Sequence, residues 1–405
     1  MSTAVYYSKS GLTQSLPVSA GTTVRELLRA HGIPSNAVLT TVNGQVVAER
    51  LAVVGPGDHV EIRQVRHYDL DLTRRPAERV LPSANPAVYG KSAFFDRGGR
   101  MEVQTEYFDA DQFVAYVEQT FVDSVRDDRL LSTDTPAAVG LSGGRDSVAF
   151  LELLHRCRDR IGPYPLTAVT VTGLPDWEEP ATFGAATAVA AELGIEQVVV
   201  DAEQIRATFR LRRSFHEVMN EVAAGTSAEM IMIITHHVMR RMVEVQAQRR
   251  GLGTVMLGLN SDDLLATVVT WLTSGFTMGG IPHRRVGELD YVFPLYRITK
   301  KELTLYLELV APELNRQGTP GRFTTGPDER SLAYAVADHL YDLWPAIDYY
   351  VFDAYRTLSQ RIVLEPHDTC RVCGAAYLPQ PGTGNPRALC DVCQVFALGE
   401  YADPA

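Results

Sequence analysis

Several absences bound what this chain can be. The 405 residues include only five cysteines, and none lies between positions 158 and 369. No apolar run reaches membrane length and no signal peptide opens the sequence, so a cytoplasmic protein that makes no membrane contact is expected. A surplus of positive charge is missing: 38 Lys and Arg stand against 49 Asp and Glu, a net charge of −11, which argues against a generally basic nucleic-acid binder. The G-x-x-x-x-G-K-[ST] pattern is absent as well, so an ordinary P-loop NTPase is not the first reading. Four of the five cysteines fall in two C-x-x-C pairs, which suits a reducing compartment and a metal better than disulfides.

What is present centres on Ala137–Leu151. A short apolar run ends in Ser142-Gly143-Gly144-Arg145-Asp146-Ser147, and apolar residues at helical spacing follow. This reads as strand, tight turn and helix N-terminus, an arrangement that gathers backbone N–H groups and a positive dipole end around an anion. Glycine permits close backbone approach there. Ser142 and Ser147 add hydroxyl donors, and Asp146 offers a carboxylate for Mg²⁺ against phosphates. The plain alternative is a Ser/Gly turn that binds nothing. The hexapeptide resembles the SGGxDS pyrophosphate-binding loop of the N-type ATP pyrophosphatases, which cut ATP between its α and β phosphates.

After the loop, helical and strand patterns alternate. Val148–Cys157 reads as helix, Leu166–Thr172 as strand, Thr182–Leu193 as helix and Gln197–Asp201 as strand. Met230–Gln248 reads as a long helix, Gly253–Leu259 as strand and Leu264–Thr273 as helix. The fold class expected is therefore α/β, with a mostly parallel sheet covered on both faces and ligands at the carboxyl ends of its strands. Phe113–Val125 supplies a helix ahead of the loop strand, and Cys157 reads as a buried structural thiol. Gly258-Leu-Asn260-Ser-Asp262-Asp263 again stands at a strand end opening a helix. Its paired carboxylates can hold Mg²⁺ or orient a nucleophile, although an N-cap role for Asp262 suffices physically. Arg-Arg pairs recur at 212–213, 240–241, 249–250 and 284–285. Solvated surface is their ordinary reading and a local phosphate-binding patch the alternative.

The motif from Gly258 to Thr267 resembles G-H-N-x-D-D-x-A-x-T of the tRNA 2-thiolation enzymes within the pyrophosphatase superfamily. Gly258, Asn260, Asp262, Asp263 and Thr267 match; Leu259 and Ala266 depart. Pro294–Glu302 matches that family's P-L-x-x-x-x-x-K-E segment, and the resemblance runs over about residues 85–395. It implies ATP bound by Ser142, Gly143, Gly144, Arg145, Asp146, Ser147, Gly258 and Asn260. Asp146, Arg240, Asp262 and Asp263 would act in catalysis. The family's cluster-holding cysteines on the long helix fall at Ile233 and His236, ahead of Arg240-Arg241, so the sequence predicts no iron–sulfur cluster and no persulfide chemistry there. His236-His237 diverge on a helix and make a poor replacement. The family's N-terminal zinc module keeps only its outline, Pro86 to Phe113, with every cysteine gone.

Residues 1–66 read as strand–strand–helix–strand–strand, with Thr22 or Thr23 capping Thr22–His31 and turns at Asn43-Gly44 and Pro56-Gly57-Asp58. They resemble the ubiquitin-like β-grasp sulfur carriers, but lack the terminal Gly-Gly: the segment runs on through Arg66-His67-Tyr68, and Gly98-Gly99 is internal. A docking or recognition module is the better reading. Cys370, Cys373, Cys390 and Cys393, two C-x-x-C knuckles 16 residues apart, can surround one tetrahedral Zn²⁺ in a closed, structural zinc ribbon.

The organisation expected is a β-grasp domain over 1–66, a linker with a cysteine-free remnant over 67–107 and a nucleotide-binding core over 108–310. A helical extension over 311–365 and a zinc ribbon over 366–405 complete it. The resemblance implies adenylation of a carbonyl or carboxylate oxygen by ATP with Mg²⁺, release of pyrophosphate, then attack by sulfide or a carrier's thiocarboxylate on a tRNA base or related small molecule. A homodimer is implied too. An amine nucleophile in an amide-forming ligase, and a non-catalytic RNA- or partner-binding scaffold, are the competing readings.

Overall fold

The structure is a computed structural model. It describes residues 3–7, 13–65, 78–83, 85–96, 101–127, 130, 136–162, 164–174, 180–225, 228–274, 280–314, 329–359, 368–377 and 388–396. The chain divides into two compact units, 1–78 with 96–102, and 79–95 with 103–405.

In the first unit, β1 (Thr3–Tyr7), β2 (Thr13–Pro17), α1 (Val24–Ala30), β3 (Val38–Val42), β4 (Gln45–Val46) and β5 (His59–Gln64) follow in order. The strands form one sheet, β2-β1-β5-β3-β4, in which β1 and β5 run parallel and the other pairs antiparallel. Thr23 caps α1 in a reciprocal capping box with Glu26, satisfying two N-terminal N–H groups. Val24, Leu27 and Leu28 of α1 bury against Ala4, Tyr6, Val60 and Ile62 of the sheet. Arg66–Tyr68 and Gly98-Gly99 lie outside the described residues.

β6 (Glu78–Leu81), β7 (Tyr89–Asp96) and β8 (Met101–Phe108), most of whose residues fall in the second unit, form a three-stranded sheet ordered β6-β8-β7 in a stretch expected as a linker with a cysteine-free remnant. Next come α2 (Ala110–Asp127), β9 (Ala137–Gly140), α3 (Arg145–Arg156), α4 (Arg158–Ile161), β10 (Leu166–Val171), α5 (Pro180–Glu192) and β11 (Glu196–Val200). The chain continues through α6 (Ala202–Thr208), α7 (Phe215–Gly225), α8 (Ala228–Arg249), β12 (Thr254–Met256), α9 (Ser261–Ser274), β13 (His283–Val286) and β14 (Leu289–Val292). It closes with α10 (Lys300–Val310), α11 (Glu329–Leu343), α12 (Ile347–Ser359), β15 (Asp368–Thr369), β16 (Ala376–Tyr377) and α13 (Asp391–Phe396).

The central sheet has the order β11-β10-β9-β12-β14-β13 and is parallel except for β13. Its middle strands are short apolar runs because both faces are covered. Alternation sorts their side chains. Ala138, Val169, Val255 and Tyr291 join one core with Val238 and Met242 of α8, while Ala137, Val139, Ala168, Met256 and Val292 join another with α2, α3 and α10. Among the described residues, no helix is long and apolar enough to cross a membrane.

Glu302 pins α10 to this scaffold. It is fully buried, and its Oε2 accepts from the backbone N–H of Thr299 at 2.7 Å and the Thr299 hydroxyl at 2.9 Å, which completes a capping box. Its Oε1 accepts from Tyr89, Lys91 and Tyr116, each at 2.9 Å, tying in β7 and α2. Burial pushes the carboxyl up, but Lys91 and the Thr299 donors outweigh it and hold it below the ordinary glutamate value. The stabilisation is therefore present above the ordinary glutamate range and is lost as pH falls through the depressed folded-state value. Glu302→Gln leaves the Lys91 ammonium without its counter-charge, and we expect a loss of about 3 kcal/mol in urea unfolding. Combining it with Lys91→Met should recover much of that loss; additive losses would contradict the pairing.

Candidate functional site

The site grows from the end of β9. Past Gly140, Leu141 N–H still donates to Val169 O at 2.9 Å, and the chain then turns sharply at Gly143, whose φ of +78° is the left-handed conformation that glycine takes without strain. Ser142 Oγ accepts from Gly144 N–H at 3.2 Å and lies 3.2 Å from Ser147 Oγ, which itself donates to Gly144 O at 2.8 Å. The two serines thus brace the turn from inside. Gly144 is the N-cap of α3 and provides no side-chain cap, so first-turn N–H groups are left for a ligand.

Asp146, in that first turn, meets residues from two other strand ends. Its Oδ2 accepts from Asn260 Nδ2 at 3.2 Å and lies 3.5 Å from Lys300 Nζ. Its Oδ1 is buried with no hydrogen-bond partner, as is Arg145 Nε. Burial raises the Asp146 carboxyl above its ordinary value, Lys300 opposes that, and Asp263 reinforces it. An orphaned carboxylate oxygen beside an uncapped helix N-terminus fits a divalent cation shared with phosphates.

The start of α9 corrects the simple N-cap reading of Asp262. Asn260 and Asp263 cap the helix reciprocally: Asp263 N–H donates to Asn260 Oδ1 at 3.0 Å and Asn260 N–H to Asp263 Oδ2 at 3.3 Å. Tyr334 donates to Asp263 Oδ1 by a short bond. Asp262 instead accepts the backbone N–H of Lys300 at 2.6 Å. Burial pushes Asp262 up to about 6, with Asp263 adding to the rise against the Lys300 N–H. Gly258 packs over the loop, where a Cβ would sit 3.5 Å from Asp146 O and from Ser147 Cα.

Ser142–Ser147, Gly258, Asn260, Asp262 and Asp263 therefore converge. Lys300 and Tyr334 join them although the sequence reading did not name them; Lys300 lay within the Pro294–Glu302 segment, which was the available signal. Arg240 is placed elsewhere. Its Nη2 is 3.5 Å from His237 Nδ1 and its Nε 3.4 Å from Glu244 Oε1, and none of its described contacts reaches Asp146.

The four paired cysteines form a second centre. Cys370, Cys373, Cys390 and Cys393 are buried, and one sulfur from each lies within 4.8 Å of the others. Arg241 Nε donates to Cys373 O at 2.6 Å, and Cys390 Sγ is 3.6 Å from His237 Nε2. The cysteines thus sit on α8, the long helix that bears Ile233, His236 and His237.

No protein-family model and no curated protein matches the chain. Solved structures do. The U34-tRNA thiolase NcsA from Methanococcus maripaludis, with its [4Fe-4S] cluster, is similar over 71% of this chain and 89% of its own, at 20% identity and a TM-score of 0.54. NMN synthetase from Francisella tularensis aligns over 64% of this chain and 99% of its own, at 17% identity and TM-score 0.38. NH3-dependent NAD synthetase from Campylobacter jejuni aligns over 64% and 100%, at 13% and 0.34. The likeness to the thiolase is one of fold. The fold expected from the glycine loop is the fold found.

One expectation is overturned. The sequence reading excluded an iron–sulfur cluster because no cysteine occurs between 158 and 369. The structure brings the later cysteines onto the same long helix as a four-thiol set, a ligand type that iron–sulfur clusters take, and the thiolase of this fold holds such a cluster. The absence of cysteine within α8 is no argument against one.

Asp262 gives a test by linkage. Its folded-state value near 6 exceeds the ordinary 3.8, so the folded protein holds this proton more tightly. The contribution to stability is full below the ordinary value and is lost as pH rises through about 6. Relative to Asp262→Asn, wild type should lose up to about 1.4 kcal/mol of unfolding free energy per pH unit near pH 5. A parallel pH dependence of the two urea midpoints would contradict the assignment.

Proposed function

We propose that this protein is an adenylating enzyme that splits ATP into AMP and pyrophosphate. The uncapped N-terminus of α3 at the Ser142–Ser147 turn, with Asp146 held between Asn260 and Lys300, carries the reading. The turn's N–H groups and serine hydroxyls would cradle the leaving phosphates. Arg145 and Lys300 supply positive charge as the α–β bond breaks, the largest kind of catalytic contribution in a pre-organised site. Asp146 Oδ1 would hold the cation that accompanies the nucleotide. Asp262 and Asp263 fix the starts of α10 and α9, and so the position of Lys300 against Asp146.

The adenylated group is a carbonyl or carboxylate oxygen of a tRNA base or a related small molecule, and a sulfur nucleophile displaces AMP. The fold likeness to a tRNA thiolase and the four-cysteine centre on α8 support sulfur. Cys370, Cys373, Cys390 and Cys393 would hold a thiolate-bound metal centre, for which the thiolase's [4Fe-4S] is the precedent in this fold. The five-stranded sheet with α1 supports reading residues 1–66 as a sulfur-carrier-like module that docks a sulfur donor.

Turnover of ATP by the metal-loaded protein, with bulk tRNA and sulfide or with ammonia, tests this. AMP and pyrophosphate are expected, dependent on acceptor and falling at least about 100-fold in Asp146→Ala. ADP and phosphate, or no ATP binding, would sink the adenylation reading; ammonia incorporation in place of sulfide would sink its sulfur step. Anaerobic purification should yield a metal centre that Cys373→Ser abolishes, with a lower melting temperature. Iron with acid-labile sulfide would identify a cluster, zinc without sulfide a single tetrahedral ion, and a metal-free wild type would refute the centre.

A further inference from the structure

The proposed adenylation chemistry uses neither His237 nor the Arg240-Arg241 pair of α8. Their spacing gathers them on one side of that helix. His237, Arg240, Arg241 and Glu244 follow one another at intervals that bring positions three and four apart together. This side meets both cysteine knuckles. Arg241 Nε donates to Cys373 O at 2.6 Å in the first, and His237 Nε2 lies 3.6 Å from Cys390 Sγ in the second.

The proton on the His237 ring is assigned from its two partners. Arg240 Nη2 is 3.5 Å from Nδ1. A guanidinium has donors only, so Nδ1 must offer its lone pair, and the neutral ring then carries its proton on Nε2. That is the nitrogen beside Cys390 Sγ. Arg240 is held from the other end, its Nε 3.4 Å from Glu244 Oε1, and Glu244 Oε2 accepts from Arg241 Nη1 at 2.9 Å. A row of side chains thus runs from the buried Glu244 carboxylate through Arg240 and His237 to a cysteine sulfur. The imidazole stands beside the four sulfurs and not among them: the sulfurs lie within 4.8 Å of one another, and four thiolates fill a tetrahedral shell.

We propose that His237 is a positioning residue for the cysteine centre. Held by Arg240 in its Nε2–H form, it donates a hydrogen bond to the Cys390 thiolate, fixes the direction of that sulfur and draws off part of its charge. The inference rests on the reading of the four thiols as a metal centre and not on adenylation. Partners of this kind orient a ligand and carry roughly 10- to 100-fold of metal affinity. Hydrogen bonds to sulfur also tune the potential of an iron–sulfur centre.

The test loads the anaerobically prepared full-length protein with spin-active cadmium, a thiophilic ion, and with isotopically labelled histidine. Nuclear magnetic resonance should show a coupling between cadmium and one histidine Nε2 proton, carried across the N–H···S bond and absent in His237→Phe. By chelator competition, that variant should hold Cd²⁺ about tenfold or more weakly. His237→Gln, whose amide N–H replaces Nε2–H, should recover much of the loss. In Arg240→Met the ring loses the donor that fixes it, and the coupling should weaken. Because the coupling is read on wild type, a variant that fails to fold does not hide the answer. No coupling to a histidine proton, or equal Cd²⁺ affinity in wild type and His237→Phe, overturns the proposal. A direct nitrogen–cadmium coupling overturns it too, by making His237 a ligand. Failure of the metal-centre reading looks different: wild type would then bind no Cd²⁺ through its thiols, and the proposal would fall with it.

Discussion

The buried carboxylate of Glu302 is the constraint from which the site follows. A charge removed from water is tolerated only when its lone pairs are taken up, and here five donors do so: the Thr299 backbone and hydroxyl, Tyr89, Lys91 and Tyr116. That satisfaction fixes where α10 begins. The first residue of the helix is Lys300, whose backbone N–H meets Asp262 and whose ammonium approaches Asp146. A structural ion pair in the interior thus sets the position of a cation at the Ser142–Ser147 turn.

The turn itself depends on topology. Parallel strands bring their carboxyl ends to one edge, so the segments after β9, β12 and β14 meet there although they are far apart in sequence. Each contributes one kind of group: N–H donors and a carboxylate from the first, an amide and two carboxylates from the second, an ammonium from the third. The carboxylates Asp146 and Asp262 are raised by burial while cationic and N–H partners oppose the rise, a balance of the sort found where charged ligands are handled.

Much of this was legible in the sequence because it is local. The Ser142–Ser147 turn, the capping threonine at 23, the apolar runs of β9 and β10 and the period of α2 are each set within a few residues. What was not legible is what the fold brings from a distance. The His283–Val286 and Leu289–Val292 hairpin is four residues a side with two arginines, too short and too charged to announce itself. Asp262 looked like an N-cap because N-caps are common at strand-to-helix turns; its real partner is 38 residues on. The exclusion of an iron–sulfur cluster failed for the same reason. It weighed cysteines along the long helix, whereas the relevant ones dock on that helix from over 130 residues later.

The Arg241–Cys373 contact carries a consequence for how the molecule lives. The four cysteines share one apolar core with Val238, Met242 and Tyr291, so they are not a detachable appendage. Even Gly374, at φ +73°, leaves no room between the knuckle and the helix: a Cβ there would stand 2.9 Å from Arg241 Nη2. Ligation of a metal by those thiols would then be one equilibrium with consolidation of the α8 core, and metal availability would weight the folded state directly. A cell short of such a metal would then hold less of the folded protein, with its Ser142–Ser147 turn chemically unchanged.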